Sequence, residues 1–187
     1  MLFGESPYPR RESANGYAFW DAAVKELWSP TGLSKKVNRA TSLRNIIKML
    51  LLAENLLDKN HLGQESIANI DKSALVQTNE EFFQNFLRRG ILLLNATPVL
   101  HSSSPRKDAR AWQPFISELL ECLFARRPNI KLILFGQIAN TIDPLLPPAA
   151  TRLPPSDKLY AEHPYNLSFI TNQAVLAFFK PLHLLKI

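Results

Sequence analysis

Cysteine is almost absent from this 187-residue chain: Cys122 stands alone, so no disulfide can form within it, and a reducing interior suits it. Histidine is scarce as well. His61, His101, His163 and His183 are widely scattered with no local ligand pair, so the chain carries no metal signature, and neither a metal nor another cofactor is expected. Its six glycines form no phosphate-cradling loop. No apolar stretch is long enough for a membrane span or a signal peptide, so no membrane partner is expected. No internal repeat is found.

What is present fits one compact domain over residues 1–187. Hydrophobic residues make up 46% of the chain and charged residues 20%, enough to bury a sizeable core. The net charge is +6, and the basic residues cluster at Arg10-Arg11, Lys35-Lys36 with Arg39 and Arg44, Arg88-Arg89, Arg106-Lys107 and Arg126-Arg127. That balance suits a polyanion partner. Apolar periodicity alternates strand and helix: helices are expected at 18–28, 42–57, 79–88, 109–126 and 171–185, strands at 1–3, 91–94, 132–135 and 158–162. The expected fold is therefore α/β, a central, mostly parallel four-stranded sheet with helices on both faces. The proline-rich stretch 144–155 reads as a surface loop. Cys122 falls on the apolar spacing of the 109–126 helix, so a packing role is expected for it.

The chemistry-bearing residues follow the strand ends. Met1-Leu2-Phe3 is apolar and breaks at Gly4, and Pro7 and Pro9 then deny the backbone a helix. Such corners are where open α/β sheets place ligands. A second apolar run, Gly90 to Leu94, ends in Asn95, whose buried amide must find partners. A third ends in Gly136-Gln137, and a fourth leads to His163-Pro164-Tyr165-Asn166-Leu167-Ser168.

Taken in order, these segments resemble the uracil-DNA glycosylase superfamily. Gly4-Glu5-Ser6-Pro7-Tyr8-Pro9, with Phe19 thirteen residues after Ser6, is similar to Gly-Gln-Asp-Pro-Tyr-His and the phenylalanine that stacks on extruded uracil. The segment from Ser42 to Asn45 resembles Pro-Ser-Leu-x-Asn, with Ala40 and Thr41 in place of prolines. Asn95 matches the asparagine that reads the uracil edge, Gly136-Gln137 the Gly-Ser phosphate loop, and the His163 segment the His-Pro-Ser-Pro-Leu-Ser loop. Trp112 and Phe115 resemble a Trp-x-x-Phe pair that packs the core.

The resemblance implies a DNA-repair enzyme that flips a base and hydrolyses its glycosidic bond. His163 would polarise the leaving base, with Ser6 and Glu12 as the remaining candidates for handling water. Tyr8, Phe19 and Asn95 would hold the base. Ser42, Gly136, Gln137, Leu167 and Ser168 would contact DNA, Leu167 as the wedge behind the flipped nucleotide. The implied partner is DNA, uracil-containing or single-stranded; a monomer and an intracellular site, in cytoplasm, nucleoid or nucleus, are expected. The family has a longer first strand preceded by helices, so a shortened member, or one lacking upstream sequence, is also expected.

Ser6 is the decisive departure, because the family has an aspartate there. A carboxylate stabilises the developing sugar cation and can deprotonate water, whereas a serine hydroxyl can only orient it. Losing a preorganised electrostatic contact of that kind costs about 10² to 10³ in rate. Glu5, adjacent in an extended segment, is expected to face away from Ser6. Two readings stand open: a glycosylase of reduced or altered activity, or a catalytically impaired relative that binds DNA or a protein through the same surface. A third reading has the chain binding no DNA at all.

Overall fold

The structure, a computed structural model, describes residues 1–101, 105–180 and Leu184. In chain order come strands β1 (Leu2–Gly4), β2 (Trp28–Ser29) and β3 (Gly32–Leu33), then helices α1 (Lys35–Arg39), α2 (Thr41–Ala53), α3 (Gln64–Ala68) and α4 (Asn79–Arg88). They are followed by β4 (Leu93–Asn95), α5 (Pro105–Arg126), β5 (Leu132–Phe135), α6 (Ile138–Ile142), α7 (Pro148–Thr151), β6 (Lys158–Ala161) and α8 (Gln173–Phe179). The chain forms two compact units, one of residues 1–19 and 92–160, the other of residues 20–91 and 161 onward.

The first unit holds the expected α/β sheet, four strands in the order β4-β1-β5-β6. Central β1 runs parallel to both neighbours, pairing Gly4 with Asn95 on one side and Phe3 with Leu134 on the other. Period-two alternation sends Met1, Phe3, Leu132 and Leu134 into a core with Ile116, Leu120 and Phe124 of α5 and Ile138 and Ile142 of α6. Leu2, Ile133 and Phe135 alternate with them and are also buried. A strand buried on both faces has no polar side to show, which is why these runs are continuously apolar. The connections leaving β1 and β5 run in opposite directions along the sheet, the arrangement that places ligand sites at carboxyl ends of strands.

The second unit is built on α2 and α4. A capping box starts α4: Glu81 N–H donates to the Thr78 hydroxyl, and Thr78 N–H donates back to the Glu81 carboxylate. Its Phe82, Phe83 and Phe86 form an aromatic cluster, with Trp20 stacked on Phe83 at 5.4 Å and Phe179 of α8 against Phe86. The buried stripe of α2 includes Leu43, Ile46, Ile47, Leu50 and Leu51.

Several expectations need correction. Residues 18–28 are not helical: Phe19 has φ +64°, which a right-handed helix cannot contain, and Asp21 Oδ1 accepts the Ala23 N–H in a local turn. Helix α2 stops at Ala53 rather than 57, because Asn55 turns left-handed and Leu56 and Asn55 N–H groups donate to the Leu51 and Leu52 carbonyls. Phe115 is 50% exposed and does not pack the core, while Trp112 is half-buried and donates its indole N–H to the Val99 carbonyl; Ile116, Leu120 and Phe124 form the inward stripe instead. Cys122 is exposed on the same outer side of the pattern, so it does not pack. The proline-rich stretch carries short helical turns, including α7, and α8 is shorter than expected, the end of the 171–185 run lying outside the described residues.

Tyr160 donates its hydroxyl to Asp143 Oδ1 at 2.8 Å. Desolvation, then that hydrogen bond and the Asp143 charge, push its phenol up to about 12. A raised folded-state pKa means this contribution to stability is complete below about pH 10 and is lost as pH climbs through about 12. An alkaline absorbance titration of the parent against Tyr160→Phe should show a difference titrating near 12; a difference near 10 would contradict the contact.

Candidate active site

At the end of β1 the backbone is drawn tightly against β4. Ala96 N–H donates to the Gly4 carbonyl and Thr97 N–H to the Glu5 carbonyl, both at 2.9 Å. A Cβ on Gly4 would stand 2.8 Å from Asn95 Oδ1 and 2.9 Å from the Ala18 Cβ, so only glycine fits. Asn95 is 6% exposed, and its Nδ2 is buried without a hydrogen-bond partner. Leaving a donor unsatisfied costs about 1–3 kcal/mol, and native structures seldom keep such a cost without a reason.

Ser6 follows two residues after Gly4, in the bend that ends β1, and is half-buried, whereas Glu5 is exposed. Tyr8, also half-buried, donates its hydroxyl to the Phe19 carbonyl at 3.3 Å. That bond helps hold Phe19 in its left-handed conformation, which is strained for a residue with a Cβ. The Phe19 ring meets Phe135 edge to face at 6.3 Å. Glu12 is exposed in the turn made by Ser13 and Ala14 N–H bonds to the Arg10 carbonyl. After β5, Gly136 turns with φ +63°, and exposed Gln137 accepts from Asn140 Nδ2 through its carbonyl, leaving its own NH₂ as the donor end.

In the second unit the His163 loop is gripped from below by a buried amide. Asn45, fully buried on α2, donates Nδ2 to the Pro164 carbonyl at 2.7 Å and lies 3.4 Å from those of Tyr165 and Asn166. Arg44 Nε donates to Asn45 Oδ1 and Arg44 Nη1 to the Asn38 carbonyl, which fixes the amide's orientation. Within the loop, Tyr165 N–H donates to His163 Nδ1 at 3.1 Å. A ring nitrogen that accepts carries no proton, so the neutral imidazole has its hydrogen on Nε2 and presents a donor there. Ser168 donates its hydroxyl to Glu162, and Leu167 is 70% exposed.

Ser42 lies in the first turn of α2, whose N-cap, Ala40, has no side-chain hydrogen bond, so the leading N–H groups are not capped by it. Burial and then the neighbouring Arg44 charge lower the Lys48 ammonium, a like-charge pair four residues apart on α2. Asn45 closes the Ser42–Asn45 motif, yet motif reading gave it no role of its own. Its signal was an amide inside the apolar stripe between Leu43 and Ile46, a position that demands a polar partner. No group of His, Cys, Asp and Glu able to hold a metal occurs among the described residues.

Within the first unit, Ser6, Tyr8, Phe19, Asn95 and Gly136 all lie at or just after carboxyl ends of parallel strands or in the segment following β1. This defines the class: an open-sheet α/β protein with polar groups at its strand ends. The wild-type UNG crystal structure from Nitratifractor salsuginis superposes with a TM-score of 0.90 and is 47% identical, covering 99% of this chain and 72% of that one; a mutant of it matches equally at 46% identity. A curated uracil-DNA glycosylase of Porphyromonas gingivalis is 27% identical over 169 residues, and one of Fusobacterium nucleatum 25% over 142. These alignments cover 90% and 75% of this chain but only 60% and 49% of the relatives' own lengths. No protein-family profile matches. The chain belongs to the uracil-DNA glycosylase superfamily.

Two substitutions test this geometry. Gly4→Ala should lower the unfolding free energy by about 1–3 kcal/mol through overpacking against Asn95 and Ala18. Asn45→Ala should cost about 1–3 kcal/mol by leaving the buried Pro164 carbonyl unsatisfied. Urea denaturation of both variants measures the losses; parental midpoints would contradict the contacts.

Proposed function

We propose that the chain is a DNA glycosylase that flips uracil, or a related base, out of DNA and hydrolyses its N-glycosidic bond at reduced or altered rate. The observation that carries this reading is the His163 tautomer. With Nδ1 occupied by the Tyr165 amide, Nε2–H is a neutral donor suited to the charge that builds on a departing base. The bond from C1′ to the base nitrogen breaks with its electron pair going to the base, and a water oxygen bonds C1′ and gives up one proton, which ends on the released base, leaving an abasic sugar. Water is the only co-reactant this asks for.

Asn95 reads the base, its orphaned amide offering a donor and an acceptor to a Watson–Crick edge. Phe19 stacks on the base and Tyr8 closes beside it. Ser6 positions water, with exposed Glu12 as the second candidate. Ser42, Gly136, Gln137 and Ser168 contact phosphates, and Leu167 wedges the stack. DNA, uracil-bearing or single-stranded, is the partner, bound by one monomeric domain over residues 1–187 and met inside the cell, in cytoplasm, nucleoid or nucleus. A second reading rests on Ser6 itself: without a charge near the sugar, the chain can bind DNA as an impaired relative.

Single-turnover excision at high protein concentration on a uracil-containing single-stranded oligonucleotide, developed by alkaline cleavage, separates the readings. The parent should cleave slowly, Ser6→Asp faster by about 10²- to 10³-fold, and His163→Ala slower than the parent. Cleavage by Ser6→Asp alone would favour the impaired relative, and no cleavage by any of the three would remove the glycosylase reading.

A further inference from the structure

The His163 loop exposes more apolar surface than a wedge requires. Among the described residues, Leu167 at 70% and Tyr165 at 66% are the most exposed large hydrophobic side chains, and they stand two residues apart. Single exposed apolar residues are ordinary on proteins. Two on one short loop are less so, and here the loop backbone is pinned: Asn45 reaches the carbonyls of Pro164, Tyr165 and Asn166, the Tyr165 N–H is bonded to His163, and the Asn166 N–H to the His163 carbonyl. An aromatic ring on a fixed backbone loses little freedom on binding, since only its two side-chain torsions remain to be ordered. The Glu162 carboxylate beside the loop is held by the Ser168 hydroxyl, and the charge on the neighbouring helix favours one kind of occupant. Helix α2, which packs against the 167–171 turn, carries Arg44 and Lys48, and the chain is net positive. A ligand with flat π faces and a negative backbone matches both properties.

We propose that Tyr165 is a stacking platform for an unpaired DNA base next to the flipped nucleotide, and that it biases the chain toward single-stranded substrate. The proposal rests on the DNA reading above and adds to it a residue that departs from the loop pattern the chain resembles, where serine stands at this position. The strand bias follows from stacking. In a duplex the neighbouring base keeps its own partner and stack, so the ring must compete for it; in a single strand the π face is available. The ring acts, not the hydroxyl, so phenylalanine should substitute for tyrosine.

The test uses two probes, a single-stranded oligonucleotide with 2-aminopurine beside an abasic-site analogue, and the same strand in a duplex. Affinity and 2-aminopurine quenching are measured for the parent, Tyr165→Phe and Tyr165→Ser, with thermal melts as a folding control. The parent should bind and quench the single strand, Tyr165→Phe should match it, and Tyr165→Ser should lose about 5- to 150-fold in single-strand affinity, with the quenching. Its loss on the duplex should be smaller. Parental behaviour of Tyr165→Ser, or equal losses in the Phe and Ser variants, would overturn the stacking role, and equal losses on both probes would overturn the strand bias. A parent that binds neither probe even at low salt would overturn the DNA reading and this proposal with it, a result distinct from binding that survives Tyr165→Ser.

Discussion

The missing side chain at Gly4 is the constraint on which the first unit's site depends. With Asn95 Oδ1 and Ala18 each inside 3 Å of where a Cβ would stand, β1 and β4 close to a distance that any other residue would force apart. The ladder then continues past the strand ends through the Gly4 and Glu5 carbonyls, carrying order into Ser6. The same contact turns the Asn95 amide so that its oxygen lies against Gly4 while its nitrogen stays buried and unpaired. One absent methyl group thus organises both a strand pairing and an unsatisfied donor, and the cost of that donor is borne by a well-packed sheet.

The second unit reaches a comparable rigidity by a different route. Asn45 lies on the buried stripe of α2, among apolar residues, and its amide finds its acceptors in the carbonyl row of the His163 loop. Arg44 holds the amide oxygen, so the donor end cannot rotate away. The loop in turn supplies the amide that decides which histidine nitrogen carries a proton. In the neutral ring, the hydrogen is thereby left on Nε2.

Much of this was legible beforehand, for identifiable reasons. The 132–135 strand and the 79–88 helix lie where the periodicity puts them, because each has a strong local signal: a doubly buried apolar run in one, a capping box and a phenylalanine stripe in the other. Local signal misled at residues 18–28, where helical spacing of apolar residues was real but Phe19 adopts a left-handed backbone. It misled again on α5. Phe115 and Cys122 fit an apolar helical pattern, yet Ile116, Leu120 and Phe124 face the sheet, and a pattern alone cannot choose between two such neighbouring stripes.

By itself the sequence determined the alternation of strand and helix, the order of the motifs that mark the superfamily, and the serine at position 6, since all three are written in composition and near-neighbour spacing. Tertiary structure alone decided the orphaned Asn95 amide and the clamp that fixes the His163 loop. The clamp joins residues 119 positions apart, and periodicity, which senses only the next turn or the next pleat, holds no information about a contact that exists only after the chain has closed on itself.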